Sequence, residues 1–333
     1  MKTTRFKTLC LAVFLLAVLL TAGAAVPLSA AEEITISTGS VTGVYYQAGQ
    51  AIKKIVDRNT QKHGFTCTVN EAEGSIFNLN SVLSGKQNFG IVQSDIQFLA
   101  WNGSAGSPWA GQPQKNLRVV FSLYTEAVSL LAAADANINS LKDLKGKRVN
   151  LGESKSGQYI NSTGLLSAAG IDISSDLREA VTVSMVSSLD LFKNGKIEAF
   201  FFTVGHPVIQ FKEIAHGKRK AGFVPITETA PLIQHYPYYV QTKIPISFYP
   251  GLVNSEDVET IGVKATLITS TEVPDTVVYT ITREICENLP RFKKLMVVLS
   301  TLTPETMMEG MTAPIHPGAL KYYREAGMPL PAQ

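Results

Sequence analysis

The stretch Ile34-Thr-Ile-Ser-Thr-Gly-Ser-Val-Thr-Gly-Val-Tyr-Tyr-Gln-Ala-Gly49 begins as a short β-like run, breaks at glycines and hydroxyl residues, and continues with helical spacing. Apolar residues recur on one helical face from Tyr45 to Val56, and the run from Thr66 to Asn70 is predicted to form a second strand. Strand, helix and strand in this order are typical of a βαβ unit. The stretch therefore predicts an α/β fold with a mainly parallel sheet and helices on its faces.

The same pattern occurs a second time further along the chain. Residues Asn139 to Val149 are predicted to form a helical turn and a strand, and a Gly/Ser loop from Gly152 to Gly157 precedes a helix that ends near Gly170. Additional strands are predicted at residues 89–93, 119–121 and 129–134. Because a chain of this length exceeds the size at which one core keeps growing, we expect two α/β lobes with a ligand cleft at the carboxyl ends of their strands.

The first 30 residues have the layout of a secretory signal peptide. Lys2, Arg5 and Lys7 precede an apolar block from Leu9 to Leu20, and small residues follow up to Ala30. The alternative is a transmembrane anchor, but a block of about a dozen apolar residues is shorter than the roughly 20 that a membrane span needs. We therefore expect an exported chain that begins near residue 31 and is located in the periplasm.

Charge and cysteine content exclude several classes of protein. The chain has a formal net charge of +3, and removal of the three basic residues of the signal leaves no net charge. With no basic stripe, nucleic acid is not expected as a partner. Cys67 and Cys286 would be the only thiols of the exported chain; they either form a disulfide or are buried singly, and their wide separation favours the second.

Two turns between a predicted strand and a predicted helix are candidates for ligand binding. In the first, Gly39, Ser40 and Thr42 supply backbone amides and hydroxyls, which suit an anionic group at a helix N-terminus. The alternative is a helix capped by serine or threonine. The glycine spacing matches neither a dinucleotide fingerprint nor a phosphate-binding P-loop.

The second turn lies in Leu151-Gly-Glu-Ser-Lys-Ser-Gly-Gln158, where Ser154, Ser156 and the Gly157 amide are placed to cap either a helix or a bound carboxylate. A nucleophilic serine is not predicted, because the run lacks the last glycine of the G-x-S-x-G motif. The five histidines form no metal-binding pair in the sequence. We therefore predict no enzyme activity, no metal and no cofactor.

Over almost its whole exported length, the sequence resembles the TAXI group of TRAP-transporter solute-binding proteins. The resemblance rests on spaced blocks that occur in order: Ser37-Thr-Gly-Ser-Val-Thr-Gly-Val-Tyr-Tyr46, Gly74-Ser-Ile-Phe-Asn-Leu79, Gly90-Ile-Val-Gln-Ser-Asp95, Leu141-Lys-Asp-Leu-Lys-Gly-Lys-Arg-Val149, Ala199-Phe-Phe-Phe-Thr203, Tyr236-Pro-Tyr-Tyr239, Tyr249-Pro-Gly251 and His316-Pro-Gly-Ala-Leu-Lys-Tyr-Tyr-Arg324. The resemblance implies a periplasmic-binding-protein-like fold in which two lobes close over a ligand about a strand hinge.

The expected lobe boundaries follow from two segments that cross between the lobes, Phe121 to Leu130 and Gly262 to Thr269. Lobe I comprises residues 31–124 and about 262–300, lobe II comprises 125–261, and residues 301–333 form a C-terminal wrap of unassigned lobe. A helix is expected after Val273, with Pro274 in its first turn.

The resemblance also implies which residues line the cleft. Lobe I would contribute Gly39, Ser40, Thr42, Tyr45, Ser75, Asn78, Gln93 and Asp95, and lobe II would contribute Ser154, Ser156, Gly157, Phe202 and Thr203. The alternatives are a helix cap for Asn78 and for Asp95, and a core position for Phe202.

The implied function is that of a monomeric receptor that delivers a small acidic metabolite to the membrane permease of a TRAP transporter. Glutamate and a dicarboxylate such as 2-oxoglutarate are the expected ligands. Glu73 departs from the family pattern. If its side chain faces the cleft, it would repel a dianion and attract an ammonium group; if it faces solvent, it would do neither. A ligand-sensing adaptor that docks a signalling partner is the alternative function.

Overall fold

The computed structural model describes residues 31–227 and 229–330. The predicted signal peptide, residues 1–30, lies outside the described residues. From Glu33 to the end of the described residues, the chain forms one compact unit. Within the described ranges, no helix is long and apolar enough to span a membrane.

Strands and helices alternate over most of the chain. The strands are β1 (Glu32–Ser37), β2 (Phe65–Asn70), β3 (Phe89–Gln93), β4 (Leu117–Ala133), β5 (Arg148–Asn150), β6 (Glu179–Val181), β7 (Ala199–Val204), β8 (Ala221–Val224), β9 (Val240–Ile244) and β10 (Val258–Ser270). The α-helices are α1 (Val44–Val56), α2 (Thr60–His63), α3 (Ser75–Leu83), α4 (Ser94–Asn102), α5 (Gly157–Ala168), α6 (Met185–Lys193), α7 (Ile209–Ala215), α8 (Ala230–His235), α9 (Asp275–Glu287), α10 (Leu289–Lys293) and α11 (Pro317–Glu325).

All ten strands belong to one sheet, whose main order is β2-β1-β3-β10-β4-β7-β5-β6. Strands β1 and β3 pair in parallel, as do β5, β6 and β7, whereas β10 is antiparallel to both β3 and β4. The α/β fold is confirmed, but the prediction of a mainly parallel sheet is wrong because two long antiparallel strands occupy its centre.

Those two central strands contain the segments that were predicted to cross between lobes. The strands predicted at residues 119–121 and 129–134 belong, except for Ala134, to one 17-residue strand, β4, because the intervening residues are buried or half-buried and continue the pairing with β10. The pairing runs from Gly262 opposite Ala127 to Ser270 opposite Leu117. The two-lobe division itself stays a prediction.

The described part of the C-terminal region packs against β4 and α9. Ile315 bridges Val119 in parallel, and the Tyr323 hydroxyl donates a 2.7 Å hydrogen bond to the Val120 carbonyl. Helix α11 packs on α9, where the Tyr279 and Tyr322 ring centroids are 5.8 Å apart. Residues 315–323 are therefore an integral part of the core.

Two smaller predictions can be compared directly with the structure. Cys67 and Cys286 are free thiols, and burial raises the pKa of each to about 12. Pro274 occupies the N-cap position of α9, one residue before the first turn in which it was expected. Its fixed φ suits both positions.

An aromatic cluster behind the sheet surrounds Phe211, a fully buried residue of α7. Its ring centroid lies 4.9 Å from that of Phe223, 5.8 Å from that of Tyr249 and 5.6 Å from that of His206. These contacts anchor α7 to the sheet.

We expect Phe211→Ala to lower the free energy of unfolding by about 3 to 5 kcal/mol, because a large buried ring leaves a cavity that the cluster cannot fill. The matched control is Ile209→Ala on the same helix, whose side chain is 65% exposed and should change stability by less than about 0.5 kcal/mol. Urea unfolding of both variants measures the difference. Equal effects of the two substitutions would contradict this account of the cluster.

Candidate functional site

A cavity of about 600 Å³ lies at the carboxyl ends of β1, β3 and β7. Its lining residues are Gly39, Ser40, Gly43, Val44, Tyr45, Glu71, Ala72, Glu73, Gly74, Ser75, Phe77, Gln93, Glu126, Glu153, Ser156, Gly157, Gln158, Val183, Ser184, Met185, Val186, Phe202, Thr203, Val204 and Gln210. They come from segments that precede β4 in the sequence, from β4 itself, and from segments between β4 and β10. This is the position at which open α/β sheets bind ligands.

Four helices begin at the cavity. The N-cap and first residue of each are part of its lining: Gly43 and Val44 of α1, Gly74 and Ser75 of α3, Ser156 and Gly157 of α5, and Ser184 and Met185 of α6. The N-caps of α5 and α6 are serines whose side chains accept a hydrogen bond from the first turn, whereas α1 and α3 have glycine N-caps and no side-chain cap. The free amides and partial positive charge at α1 and α3 favour a carboxylate there.

The carboxyl group of Glu126 lies at the inner end of the cavity, although this residue is in the middle of buried strand β4 and only 2% exposed. The Tyr45 hydroxyl donates a 2.9 Å hydrogen bond to Glu126 Oε2 and lies 3.3 Å from Ser75 Oγ. The pKa of Glu126 is raised to about 8, mainly by burial and also by the negative charge of Asp95, whereas hydrogen bonds from the Tyr45 and Gln93 side chains lower it.

Three other buried side chains of the lining have a polar atom without a hydrogen-bond partner in the described structure. These atoms are Gln93 Oε1, Thr203 Oγ1 and Gln210 Oε1. Buried polar atoms are normally paired, because an unpaired one costs about 1 to 3 kcal/mol. These three oxygens of lining residues can accept hydrogen bonds from a ligand or from ordered water, and five further unpaired oxygens of described residues lie outside the lining.

The mouth of the cavity is acidic. Glu71, Glu73 and Glu153 are exposed and line it, and Lys155 forms an ion pair with Glu73 at 3.3 Å. Partial burial and the charge of Glu73 raise the pKa of Glu153. Among the described residues that line the cavity, none is lysine, arginine or histidine. The lining therefore has an excess of carboxyl groups over cationic side chains.

Nine of the predicted site residues line this cavity: Gly39, Ser40, Tyr45, Ser75, Gln93, Ser156, Gly157, Phe202 and Thr203. Gly157 is the most tightly constrained, because a Cβ atom at this position would lie 1.8 Å from Gln93 Oε1. A residue larger than glycine would have to displace the Gln93 side chain from its present position.

The other four predicted residues lie outside the lining. Asn78 is fully buried inside α3, where it accepts from Ser37 Oγ at 2.7 Å and donates to the carbonyls of Thr38 and Ile91. Its polar atoms thus hold β1 and β3 together instead of facing the cavity. Thr42 is exposed and lies 3.5 Å from Gln210 Nε2, and Ser154 is also exposed.

Asp95, the fourth of these residues, belongs to a buried cluster that joins α4 to α5. Asn161 Nδ2 donates a 2.8 Å hydrogen bond to Asp95 Oδ2 and lies 3.4 Å from the Tyr239 hydroxyl. Burial raises the pKa of Asp95 to about 7. The cluster connects segments that were assigned to different lobes by the sequence analysis.

Sequence reasoning missed Glu126, Gln158 and Gln210. A signal for Glu126 was present, because a carboxylate inside a long apolar run is rarely buried without a partner. The signal was overlooked because this run was interpreted only as a crossing segment. Nothing in the local sequence indicated that Gln158 or Gln210 would face the cavity.

One histidine lies close to a serine, which the scattered positions in the sequence did not suggest. His206 Nε2 is 2.9 Å from Ser129 Oγ, and His206 Nδ1 is 2.5 Å from the Tyr249 hydroxyl. Ser129 is fully buried, neither residue lines the cavity, and burial lowers the pKa of His206 to about 3. The neutral imidazole serves as a hydrogen-bonded core residue.

A second cavity, of about 640 Å³, is mainly apolar and lies between Leu289 and Pro304, away from the buried carboxyl groups. No group of three or more metal-ligating side chains occurs in residues 31–227 and 229–330.

A family model matches residues 36–327, which is most of the chain. The chain belongs to the NMT1-like family. The match spans all the cavity-lining residues, so the cavity is part of the family domain.

Solved structures with a similar fold include proteins described as periplasmic binding proteins or as transporters. The periplasmic binding protein BugD has a TM-score of 0.56 at 13% identity, covering 89% of this chain and 98% of its own. A protein described as an L-cystine ABC transporter from Listeria monocytogenes has a TM-score of 0.50 at 15% identity, covering 81% of this chain and 97% of its own. A structure described as a periplasmic transporter has a TM-score of 0.50 at 13% identity, and the match covers 91% of this chain and 94% of that structure's chain. These similarities confirm the predicted fold.

The raised pKa of Glu126 predicts how stability depends on pH. The unfolded carboxyl group ionises near pH 4.5 and the folded one near pH 8, so the folded state binds the extra proton between these values. The contribution of Glu126 to the free energy of unfolding is fully present below pH 4.5. As the pH rises from 4.5 to 8, this contribution decreases by about 1.4 kcal/mol per pH unit. Between pH 7 and 8 we expect the melting temperature to fall, and Glu126→Gln to remove most of this fall. If the free energy of unfolding of Glu126→Gln, measured with urea, depends on pH as steeply as that of the wild-type protein, the raised pKa of Glu126 is contradicted.

Proposed function

We propose that the protein is an extracytoplasmic solute-binding receptor of a TRAP-type transporter, which captures a small metabolite and delivers it to a membrane permease. The observation that carries the proposal is the cavity of about 600 Å³ at four helix N-termini, whose lining residues include buried side-chain oxygens without a protein partner. Such a cavity suits reversible binding of a small molecule. The fold is that of periplasmic binding proteins, and the ordered sequence blocks support the TRAP assignment.

The proposed mode of action is closure of two lobes over the solute. Contacts between segments assigned to different lobes surround the cavity, including Gly157 against Gln93 and the ion pair of Lys155 with Glu73. Strands β4 and β10 connect these segments and serve as the proposed hinge. A bound solute would add contacts to both sides and so favour the closed state.

The proposed ligand is glutamate or a dicarboxylate such as 2-oxoglutarate. A carboxylate of the solute would cap α1 and α3 at Gly43 and Gly74, where no protein side chain does so. Phe202 and Tyr45 would cover its carbon chain. Of the two ligands, glutamate fits the lining better, because its ammonium group can pair with a carboxylate whereas 2-oxoglutarate offers only anionic and neutral groups.

Binding is tested with a thermal-shift and calorimetry panel of amino acids, dicarboxylates and keto acids. A ligand present at a hundred times its Kd should add about 2.7 kcal/mol of stability. If no member of the panel raises the melting temperature or gives a binding signal in calorimetry, the proposed ligand class is wrong. A receptor is separated from a signalling adaptor by solute uptake in cells that carry the neighbouring permease genes.

The close approach of Gly157 to Gln93 gives a specific prediction about closure. Gly157→Ala should weaken solute binding by about tenfold or more, because the added methyl group must displace the Gln93 side chain. The matched control is Gly164→Ala in the same helix, where a Cβ atom meets nothing within 4 Å. That control should keep wild-type affinity and gain slightly in stability from better helix propensity. Calorimetry of both variants checks this, and equal affinities would contradict the proposed closed state.

A further inference from the structure

Three acceptor residues line the cavity: Glu126, whose carboxyl accepts a hydrogen bond from Tyr45, and Gln93 and Thr203, which each have an oxygen without a donor. Glu126 and Gln93 are 2% and 3% exposed, and Gln93 Oε1 has no donor. Thr203 lies opposite Val128 in the β4–β7 pairing, so its side chain is on the same face of the sheet as Glu126, and its Oγ1 is also unpaired. One carboxyl group and two buried neutral oxygens without donors therefore belong to residues that line the same cavity.

The side chains of the described lining carry a net negative charge. Glu71, Glu73, Glu126 and Glu153 line the cavity, and no described lining residue is cationic. A dianionic solute would meet this field without a guanidinium or ammonium group to balance it, whereas a cationic group would be attracted. Lys155, which precedes the lining residue Ser156, is paired with Glu73 and is 66% exposed.

We infer that the cavity selects solutes that carry a primary ammonium group, which is bound by Glu126, Gln93 Oε1 and Thr203 Oγ1, and that binding displaces a proton from Glu126. The inference rests on the proposed receptor function and narrows its substrate class to amino acids and related amines. Dicarboxylates and keto acids without an amino group are excluded.

The number of hydrogen-bond donors on a primary ammonium group matches the number of acceptor oxygens proposed to bind it. A primary ammonium has three N–H donors and no acceptor, which matches one carboxylate oxygen and two unpaired neutral oxygens. A carboxylate at the other end of the solute would take the uncapped N-termini of α1 and α3. The cavity thus presents opposite polarities to the two charged ends of an amino acid.

The proton release follows from the surroundings of Glu126. The titratable groups that act on its carboxyl are Tyr45 of α1, Tyr124 of β4 and Asp95 of α4, with Glu73 and Glu153 at the cavity mouth. Lys264 is next to the residue opposite Glu126, but it pairs with Glu309 at 2.6 Å on the other face of the strands. Because burial raises the pKa of Glu126 to about 8, the empty site binds a proton at pH 7. An ammonium group favours the carboxylate and expels that proton to solvent.

The experiment compares three solutes with the same carbon chain: glutamate, glutarate, which lacks the amino group, and 2-oxoglutarate, in which a keto group replaces it. The standard amino acids, γ-aminobutyrate and putrescine complete the panel. Calorimetry at pH 7 in buffers of different ionisation enthalpy measures proton release. We expect at least one amine to bind at least tenfold more tightly than its matched analogue, with close to one proton released, and its affinity to rise by up to about tenfold per pH unit from pH 6 to 8.

Glu126→Gln isolates the carboxyl group. It should abolish proton release and weaken binding of the amine by about ten- to a hundredfold, while an analogue without the amino group binds equally well or better. The matched control is Glu284→Gln, another buried glutamate, which accepts a 2.7 Å hydrogen bond from Asn59 and lies outside the cavity lining. Glu284→Gln should keep both the amine affinity and the proton release. If Glu126→Gln does not fold, proton release by the wild-type protein still provides the test.

The outcomes separate this inference from the proposed function. Binding of dicarboxylates alone, or amine binding without proton release, would overturn the inference and leave the receptor function standing. Unchanged amine affinity in folded Glu126→Gln would do the same. If no member of the panel binds, both the inference and the proposed ligand class fail.

Discussion

Strands β4 and β10 pair along the centre of the sheet from Gly262 opposite Ala127 to Ser270 opposite Leu117, and the strands that precede the cavity-lining segments lie on both sides of this pair. Strand β3 joins β10 on one side, and β7 joins β4 on the other. The turns after β1, β3 and β7 consequently open on the same enclosed space. Because strand pairing fixes register, these segments meet in one arrangement.

A buried strand that contributes Glu126 to the cavity carries an energetic cost. Desolvation disfavours the carboxylate, and the Tyr45 hydroxyl offsets only part of that cost. A core position built only for stability would hold an apolar residue here, as most positions of β4 do. A buried acid in a cavity is better explained by a ligand that supplies the missing counter-charge.

The helix N-termini and the carboxyl groups give the cavity two kinds of surface. Gly43 and Gly74 leave the first amides of α1 and α3 without a side-chain cap, which suits an anionic group. Glu126 and the oxygens of Gln93 and Thr203 suit a cationic group. A solute with both charges can satisfy both surfaces, and its size is bounded by the cavity volume of about 600 Å³.

The amino-acid sequence by itself determined the local elements of this protein: the βαβ pattern that begins at Ile34, the glycine and hydroxyl turns, and the helix that begins at Gly157. These follow from periodicity and turn chemistry, which act over a few residues. Only the tertiary structure decided which side chains meet. Asn78 forms hydrogen bonds with Ser37 of β1 and with Ile91 of β3, and Asp95 accepts a hydrogen bond from Asn161. Glu126 faces the cavity because β4 is one continuous strand paired with β10. The physical reason is that hydrogen bonds and burial between residues far apart in the chain depend on strand order and register, and local sequence patterns do not specify either one.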